Sequence, residues 1–130
     1  MSKEKNKEMV LAFFEAFRTR DRDTIDRLLS DSGAYWIIGD APYSGELVKS
    51  AFIGNIEQLW AVTEDPLQLD IQYMTCEDDR VSTALVGHMP TKSGQVYRNT
   101  YHVLSFVEGD RIVGWREYFD TDAANLVFGL

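Results

Sequence analysis

The chain has 130 residues, 45% of them hydrophobic and 26% charged, with a formal net charge of −8 at pH 7. That length and apolar content suit one domain, residues 1–130, built on one core. Its basic residues are scattered among acids, which excludes the clustered Lys and Arg of a nucleic-acid surface. The longest apolar runs, such as Ala34 to Ile38, fall far short of the roughly 20 residues that cross a bilayer, so no membrane partner is expected. The start, Met-Ser-Lys-Glu-Lys-Asn-Lys-Glu, carries both charge signs and no apolar export signal; residues 1–7 are expected to fray. Cys76 is alone and closes no internal disulfide, which points to a reducing cytoplasm.

Val10, Phe13, Phe14 and Phe17 recur at helical spacing within residues 6 to 19, an aromatic stripe on an otherwise charged first helix. Asp23 is placed to cap a short second helix with Ile25, Leu28 and Leu29 on its buried face, ending in the Ser-Asp-Ser-Gly turn at 30 to 33. Ala34 to Ile38 is aromatic and β-branched and predicts a strand, followed by a Gly39-Asp40-Ala41-Pro42 turn in which Asp40 is a turn former. A third helix is expected from about Glu46 to Trp60, where Val48, Phe52, Ile56, Leu59 and Trp60 share a face. After Pro66 the period changes to two, Leu67, Leu69, Ile71 and Tyr73 alternating with polar residues. Strands are expected near 67 to 75, 80 to 90, 96 to 107 and 111 to 119, joined by short turns into an antiparallel meander. Thr121 to Leu130 predicts a half-turn of helix with Leu126, Val127 and Phe128 folding back as a flap. The order gives an α+β fold, helices packed on one face of a curved antiparallel sheet.

Several segments carry a resemblance: the entry helix Met9 to Phe17, the Pro42-Tyr43-Ser44-Gly45 turn, Tyr97 to Tyr101, and Gly109-Asp110-Arg111-Ile112 leading into Trp115-Arg116-Glu117-Tyr118-Phe119-Asp120. The chain resembles the SnoaL-like and ketosteroid-isomerase-like branch of the nuclear-transport-factor-2-like (NTF2-like) superfamily. That resemblance implies a cone of three N-terminal helices on a strongly curved antiparallel sheet, a pocket for a hydrophobic small molecule, and a homodimer. The outward set Arg98, Thr100, His102, Leu104 and Phe106 mixes apolar and polar groups as an interface does.

Alternation divides the last strand into Trp115, Glu117 and Phe119 on one face and Gly114, Arg116, Tyr118 and Asp120 on the other. The resemblance puts the first set inside, with Asn99, Tyr101 and Val103, with Ala84, Val86 and His88, and with Tyr35 and Ile37. The expected ligand-binding residues are Phe14, Phe17, Trp36, Phe52, Ile56, Trp60, Val86, His88, Tyr101, Trp115 and Phe119. The last strand is also similar to that of limonene-epoxide hydrolases, with an acid at Glu117 and a Tyr at Tyr35. The Asn of that pattern is Ile37 here, and its Arg-x-Asp pair falls at Ser82 and Ala84, so epoxide hydrolysis is the less favoured activity.

Of the ketosteroid-isomerase pattern, the base position matches Trp36, the helix-one Tyr matches Phe13 and the protonated Asp matches Asn99. An Asn amide still donates to an oxyanion. A carboxyl among Trp115, Phe119 and Tyr101 is desolvated, which raises its pKa toward an acid/base range. The expected catalytic set is therefore Glu117 as acid/base, Tyr35 as its hydrogen-bond partner and Asn99 as oxygen-binding donor. The activity expected is cofactor-free isomerisation, cyclisation or dehydration of a hydrophobic carbonyl compound. The alternative is a non-catalytic ligand-binding or dimerisation module. Two histidines without metal-ligand spacing give no metal site, and no phosphate loop is present.

Overall fold

A computed structural model describes residues 2–130. Helix α1 spans Lys3–Thr19, with the Ser2 side chain accepting from the Lys5 amide at its start. The expected fray over residues 1–7 is thus corrected to helix from Lys3, while Met1 lies outside the described residues. The reason is tertiary. Asn6 is 2% exposed and donates to the Asp78 carbonyl at 3.3 Å, pinning the first turn to a distant hairpin.

Helix α2 spans Arg22–Leu28, and its cap is Asp21 rather than Asp23. The Asp21 carboxylate accepts from the Thr24 amide at 3.2 Å and the Thr24 hydroxyl at 2.6 Å. Ile25 and Leu28 are buried as their spacing predicts. The turn expected at 30 to 33 is instead part of strand β1, Leu29–Ile37. Strand β2, Gly45–Leu47, replaces the expected first turn of the third helix, and α3 runs Lys49–Val62. The meander follows as β3 Gln68–Glu77, β4 Arg80–Pro90, β5 Val96–Glu108 and β6 Arg111–Tyr118. Helix α4, Thr121–Phe128, extends the expected half-turn to two turns.

The six strands form one open sheet in the order β2-β1-β6-β5-β4-β3. Every pairing is antiparallel except β1 with β6, which corrects the all-antiparallel expectation. Parallel neighbours need a long crossover, here α3 and the whole meander. The ladder shifts register in β1 between Leu29 and Ala34, in β3 between Ile71 and Tyr73, and between Phe106 and Val107. Such bulges bend and twist a sheet, and this one curves around α1 and α3.

The bulges also reset which side chains face in. Tyr73, expected on the face of Leu69 and Ile71, is 74% exposed because the bulge flips the strand beyond Ile71. In β4 the buried residues are Val81, Thr83, Leu85, Gly87 and Met89. Ala84, Val86 and His88 therefore face outward, one residue out of phase with expectation. Register explains it: Leu85 lies opposite Tyr101, and directly opposed residues share a face.

Arg20 ends α1 in the left-handed conformation, φ 64°. Its guanidinium donates to the carbonyls of Trp60 and Thr63, the latter at 2.9 Å. Cations suit the unpaired carbonyls of a helix C-terminus, so this side chain locks α3 over the sheet.

Candidate functional site

Between the inner face of the sheet and helices α1, α3 and α4 lies a cavity of about 750 Å³. Its aromatic wall comes from the α1 stripe and from Phe52, packed as a cluster: Phe13 lies 4.6 Å from Trp115 and 6.3 Å from Phe52, centroid to centroid. Phe14, Phe17, Phe52, Ile56, Tyr101, Trp115 and Phe119 all line the space as expected. Val127 and Phe128 of α4 close another side.

Glu117 is the one acidic side chain among the described residues that line the cavity. On β6 it sits between Ile37 of β1 and Val103 of β5, two hydrocarbon neighbours that line the same space. None of the ion pairs among the described residues involves it. Trp115 Nε1 donates to its Oε1 at 3.0 Å. Burial pushes the carboxyl up to about 7 against the opposing effect of that indole bond. The side chain keeps some accessible area because it is bare toward the cavity while protein surrounds the rest.

Three phenols share the cavity with this carboxyl. Burial raises Tyr43, Tyr97 and Tyr101 above the ordinary phenol value, Tyr97 to about 12, and the Glu117 charge adds to all three. Tyr97 and Tyr101 are hydroxyl to hydroxyl at 2.7 Å. Tyr43 donates to Asn125 Oδ1 of α4 at 2.9 Å, and its own carbonyl accepts from Asn55 of α3 at 2.9 Å.

Tyr35 is not the partner of Glu117. Its hydroxyl lies between the carbonyls of Ser30 at 2.7 Å and Ile112 at 3.1 Å, filling the gap opened by the β1 bulge. A Cβ on Gly33 would come within 2.3 Å of that hydroxyl, so the bulge and the tyrosine require glycine there. Asn99 is buried, yet both hydrogens of its amide are committed, to the Tyr97 hydroxyl at 2.9 Å and the Asp120 carbonyl at 2.8 Å. It has none left for a ligand oxygen.

Four expected wall residues lie elsewhere. Trp36 is on the outer face, with Arg116 stacked 4.1 Å from its centroid. Trp60 is buried, but its Nε1 donates to the Phe17 carbonyl at 2.9 Å and it fastens α3 to α1. Val86 and His88 line a separate outer groove with Arg98 and Asp70. Sequence reasoning missed Tyr43 and Tyr97. The signal for Tyr97 was available, since it shares strand parity with Asn99 and Tyr101; Tyr43 sits in a loop, where parity is silent. No group of three or more His, Cys, Asp or Glu gathers among the described residues in the manner of a metal site. No helix among them is long and apolar enough to cross a membrane.

The family profile described as SnoaL-like domain matches residues 10–115. The chain belongs to that SnoaL-like family. No curated protein sequence matches it significantly. Among solved structures, this SnoaL-like domain is similar to wild-type IdmH of Streptomyces antibioticus, a proposed polyketide cyclase, with 20% identity, 96% of this chain and 99% of that one covered, and a TM-score of 0.79. It is similar to AclR of Streptomyces galilaeus, a proposed hydroxylase, with 15% identity, coverage of 98% and 87%, and a TM-score of 0.83. An M. tuberculosis LEH-like epoxide hydrolase matches with 18% identity, 98% of each chain and a TM-score of 0.76. At such identities these structures establish the NTF2-like fold. Of the limonene-epoxide-hydrolase pattern considered from the sequence, Ile37 meets the cavity as hydrocarbon, and Ser82 faces outward, 2.7 Å from His102 Nε2.

Proposed function

We propose that this SnoaL-like domain binds a hydrophobic carbonyl compound in the cavity and moves a proton on it with Glu117, without a cofactor. The observation that carries the reading is the one acidic side chain among the described residues of a mostly apolar cavity, its carboxyl unpaired with any cation in the ion pairs described and pushed up to about 7. A group with that pKa holds both protonation states near neutral pH, so it can take a proton and return it. Trp115 Nε1 occupies Oε1, which leaves Oε2 for the reacting proton.

The carboxylate takes a proton from the carbon next to the carbonyl, and the electron pair moves into an enolate. Returning the proton to a different carbon isomerises the compound. Attack of the enolate carbon on a second carbonyl closes a ring, and the protonated Glu117 then serves the new alkoxide or a departing hydroxide. Similarity to a proposed polyketide cyclase supports carbonyl-rich substrates; the acid/base role itself stands on Glu117.

The test needs no knowledge of the natural substrate. Acetylnaphthalene in deuterium oxide should exchange its methyl hydrogens faster with the protein, followed by NMR. Glu117→Gln should keep binding, read by tryptophan fluorescence, and lose the acceleration by about a hundredfold or more, the usual range for a removed general base. Undiminished acceleration in Glu117→Gln would take the proton transfer away from Glu117, and binding without any acceleration by the wild type would leave the cavity as a binding site alone.

A further inference from the structure

Asn99 is poorly explained as filler. It is 6% exposed, and both polar atoms of its amide are engaged by the protein. The Asp120 amide donates to its Oδ1 at 3.1 Å, and its Nδ2 donates to the Asp120 carbonyl at 2.8 Å. This pair of bonds settles the amide orientation, because a flipped Asn99 would set N–H against N–H and oxygen against oxygen. The second Nδ2 hydrogen goes to the Tyr97 hydroxyl oxygen at 2.9 Å.

Direction then passes down a chain. A phenol accepts through its oxygen and donates through one hydrogen. The Tyr97 and Tyr101 hydroxyls are 2.7 Å apart and the bond can run in either direction. The bond that the Tyr97 oxygen already accepts from Asn99 favours Tyr97 as the donor, because accepting a hydrogen bond strengthens a hydroxyl's own hydrogen as a donor. Tyr101 therefore accepts from Tyr97, and its own hydrogen is left for the cavity that it lines. The origin of the chain is Asp120, whose carboxylate caps α4 by accepting from the Ala123 amide at 3.2 Å. The same helix packs Phe128 edge-on to Tyr97 at 4.9 Å and takes the Tyr43 hydroxyl on Asn125 at 2.9 Å.

We propose that Tyr101 is the hydrogen-bond donor to the ligand's carbonyl oxygen, and that Asn99 and Tyr97 are positioning residues that couple the seating of α4 to the direction of that donor. When α4 is docked, the Asp120 peptide fixes Asn99, Asn99 fixes Tyr97, and Tyr101 points its hydrogen at the bound molecule. The ligand class follows: an apolar molecule with a carbonyl oxygen to accept from Tyr101 and an adjacent carbon within reach of Glu117. The inference rests on the cavity being the ligand site, and the experiment separates the two.

The probes are acetylnaphthalene, which accepts a hydrogen bond, and ethylnaphthalene, which has nearly the same shape and accepts none. Dissociation constants are read by tryptophan fluorescence, and the ketone's carbonyl stretch by infrared difference spectroscopy. Tyr101→Phe should weaken the ketone about tenfold, the scale of one hydrogen bond, and leave the hydrocarbon within about twofold. Asn99→Asp, read above the midpoint of the new carboxyl as found by NMR titration, reverses the chain: Tyr97 donates to the carboxylate, Tyr101 donates to Tyr97, and the ketone weakens as in Tyr101→Phe.

Tyr97→Phe keeps the Asn99–Asp120 bonds and frees Tyr101 to donate, so its loss should be smaller. For the same reason, adding Tyr97→Phe to Asn99→Asp should restore most of the ketone affinity, a coupling that independent structural damage does not produce. Equal weakening of both probes by Asn99→Asp, or no recovery in the double variant, overturns the coupling. If Asn99→Asp does not fold, the carbonyl stretch decides. It should shift to lower frequency in the wild type, return fully toward the free value in Tyr101→Phe and partly in Tyr97→Phe as polarisation along the chain is lost; no change in either overturns the inference. Hydrocarbon binding without any ketone-specific effect rejects this proposal and leaves the cavity standing. Failure of the wild type to bind either probe rejects both.

Discussion

Arg116 and Glu117 are neighbours on β6, and each is paired with a tryptophan, but one pleat separates a wet environment from a dry one. Outside, the Arg116 guanidinium lies over Trp36 at 4.1 Å and its Nε donates to the Tyr118 hydroxyl at 3.0 Å. Inside, the Glu117 carboxyl has the Trp115 indole at 3.0 Å, shares its cavity with three phenols and enters none of the ion pairs among the described residues. Water screens the outer charge at little cost. The inner charge lacks that shell, and its protonation equilibrium moves instead. The comparison teaches that this strand makes a reactive group by where it faces, since the residue types on the two sides are similar.

The largest effect that would sharpen the contrast is on stability. Glu117 rises from an ordinary value of 4.5 to about 7 on folding. The native state thus binds the proton more tightly than the unfolded chain. Stability is full below the unfolded value and falls as pH rises through the folded one. Above that pH, ionised Glu117 opposes folding by about 3 kcal/mol. Glu117→Gln should therefore be more stable than the wild type by up to that amount in alkaline buffer and equal to it in acid, as urea unfolding across the range will show. A constant difference at all pH values would mean that the carboxylate is solvated.

A smaller effect concerns the indole. Trp115→Phe removes the bond that favours the carboxylate, so the Glu117 midpoint should move further up, measured by carboxyl NMR titration. Loss of that bond should also lower stability in the ionised range by about 1 kcal/mol, before the cost of the reduced ring volume. A midpoint that stays put would show that the indole only fills space. The smallest effect belongs to the outside. Arg116→Ala should change stability by less than about 1 kcal/mol and leave the Glu117 midpoint where it is. A shift of that midpoint would mean that the two faces are coupled through the strand.

Much of the fold was legible because it is written in local patterns. The aromatic stripe of α1, the period-two runs of β3 to β6 and the turns between them depend on spacing and on turn residues, and they emerged within a few positions of their observed bounds. Trp115, Glu117 and Phe119 shared a face for the same reason. Where the reading slipped, a distant partner had decided the matter. Asn6 holds the first turn of α1 in place from Asp78, and the bulge in β3 turned Tyr73 outward.

The sequence by itself determined an α+β domain in which Trp115, Glu117 and Phe119 share one face of the last strand. Tertiary structure decided that Tyr35 plugs a bulge instead of serving Glu117, that β4 presents Leu85 and not Val86 to the interior, and that Asn99 spends its amide on Asp120 and Tyr97. The physical reason is common to all three. Alternation tells which residues share a face but not which face is inside, and that is set by the register with the neighbouring strand. A side chain's hydrogen bonds go to whichever buried group lacks a partner once the chain has closed around it, and for Tyr35 and Asn99 those groups include Ile112 and Asp120, far away along the chain.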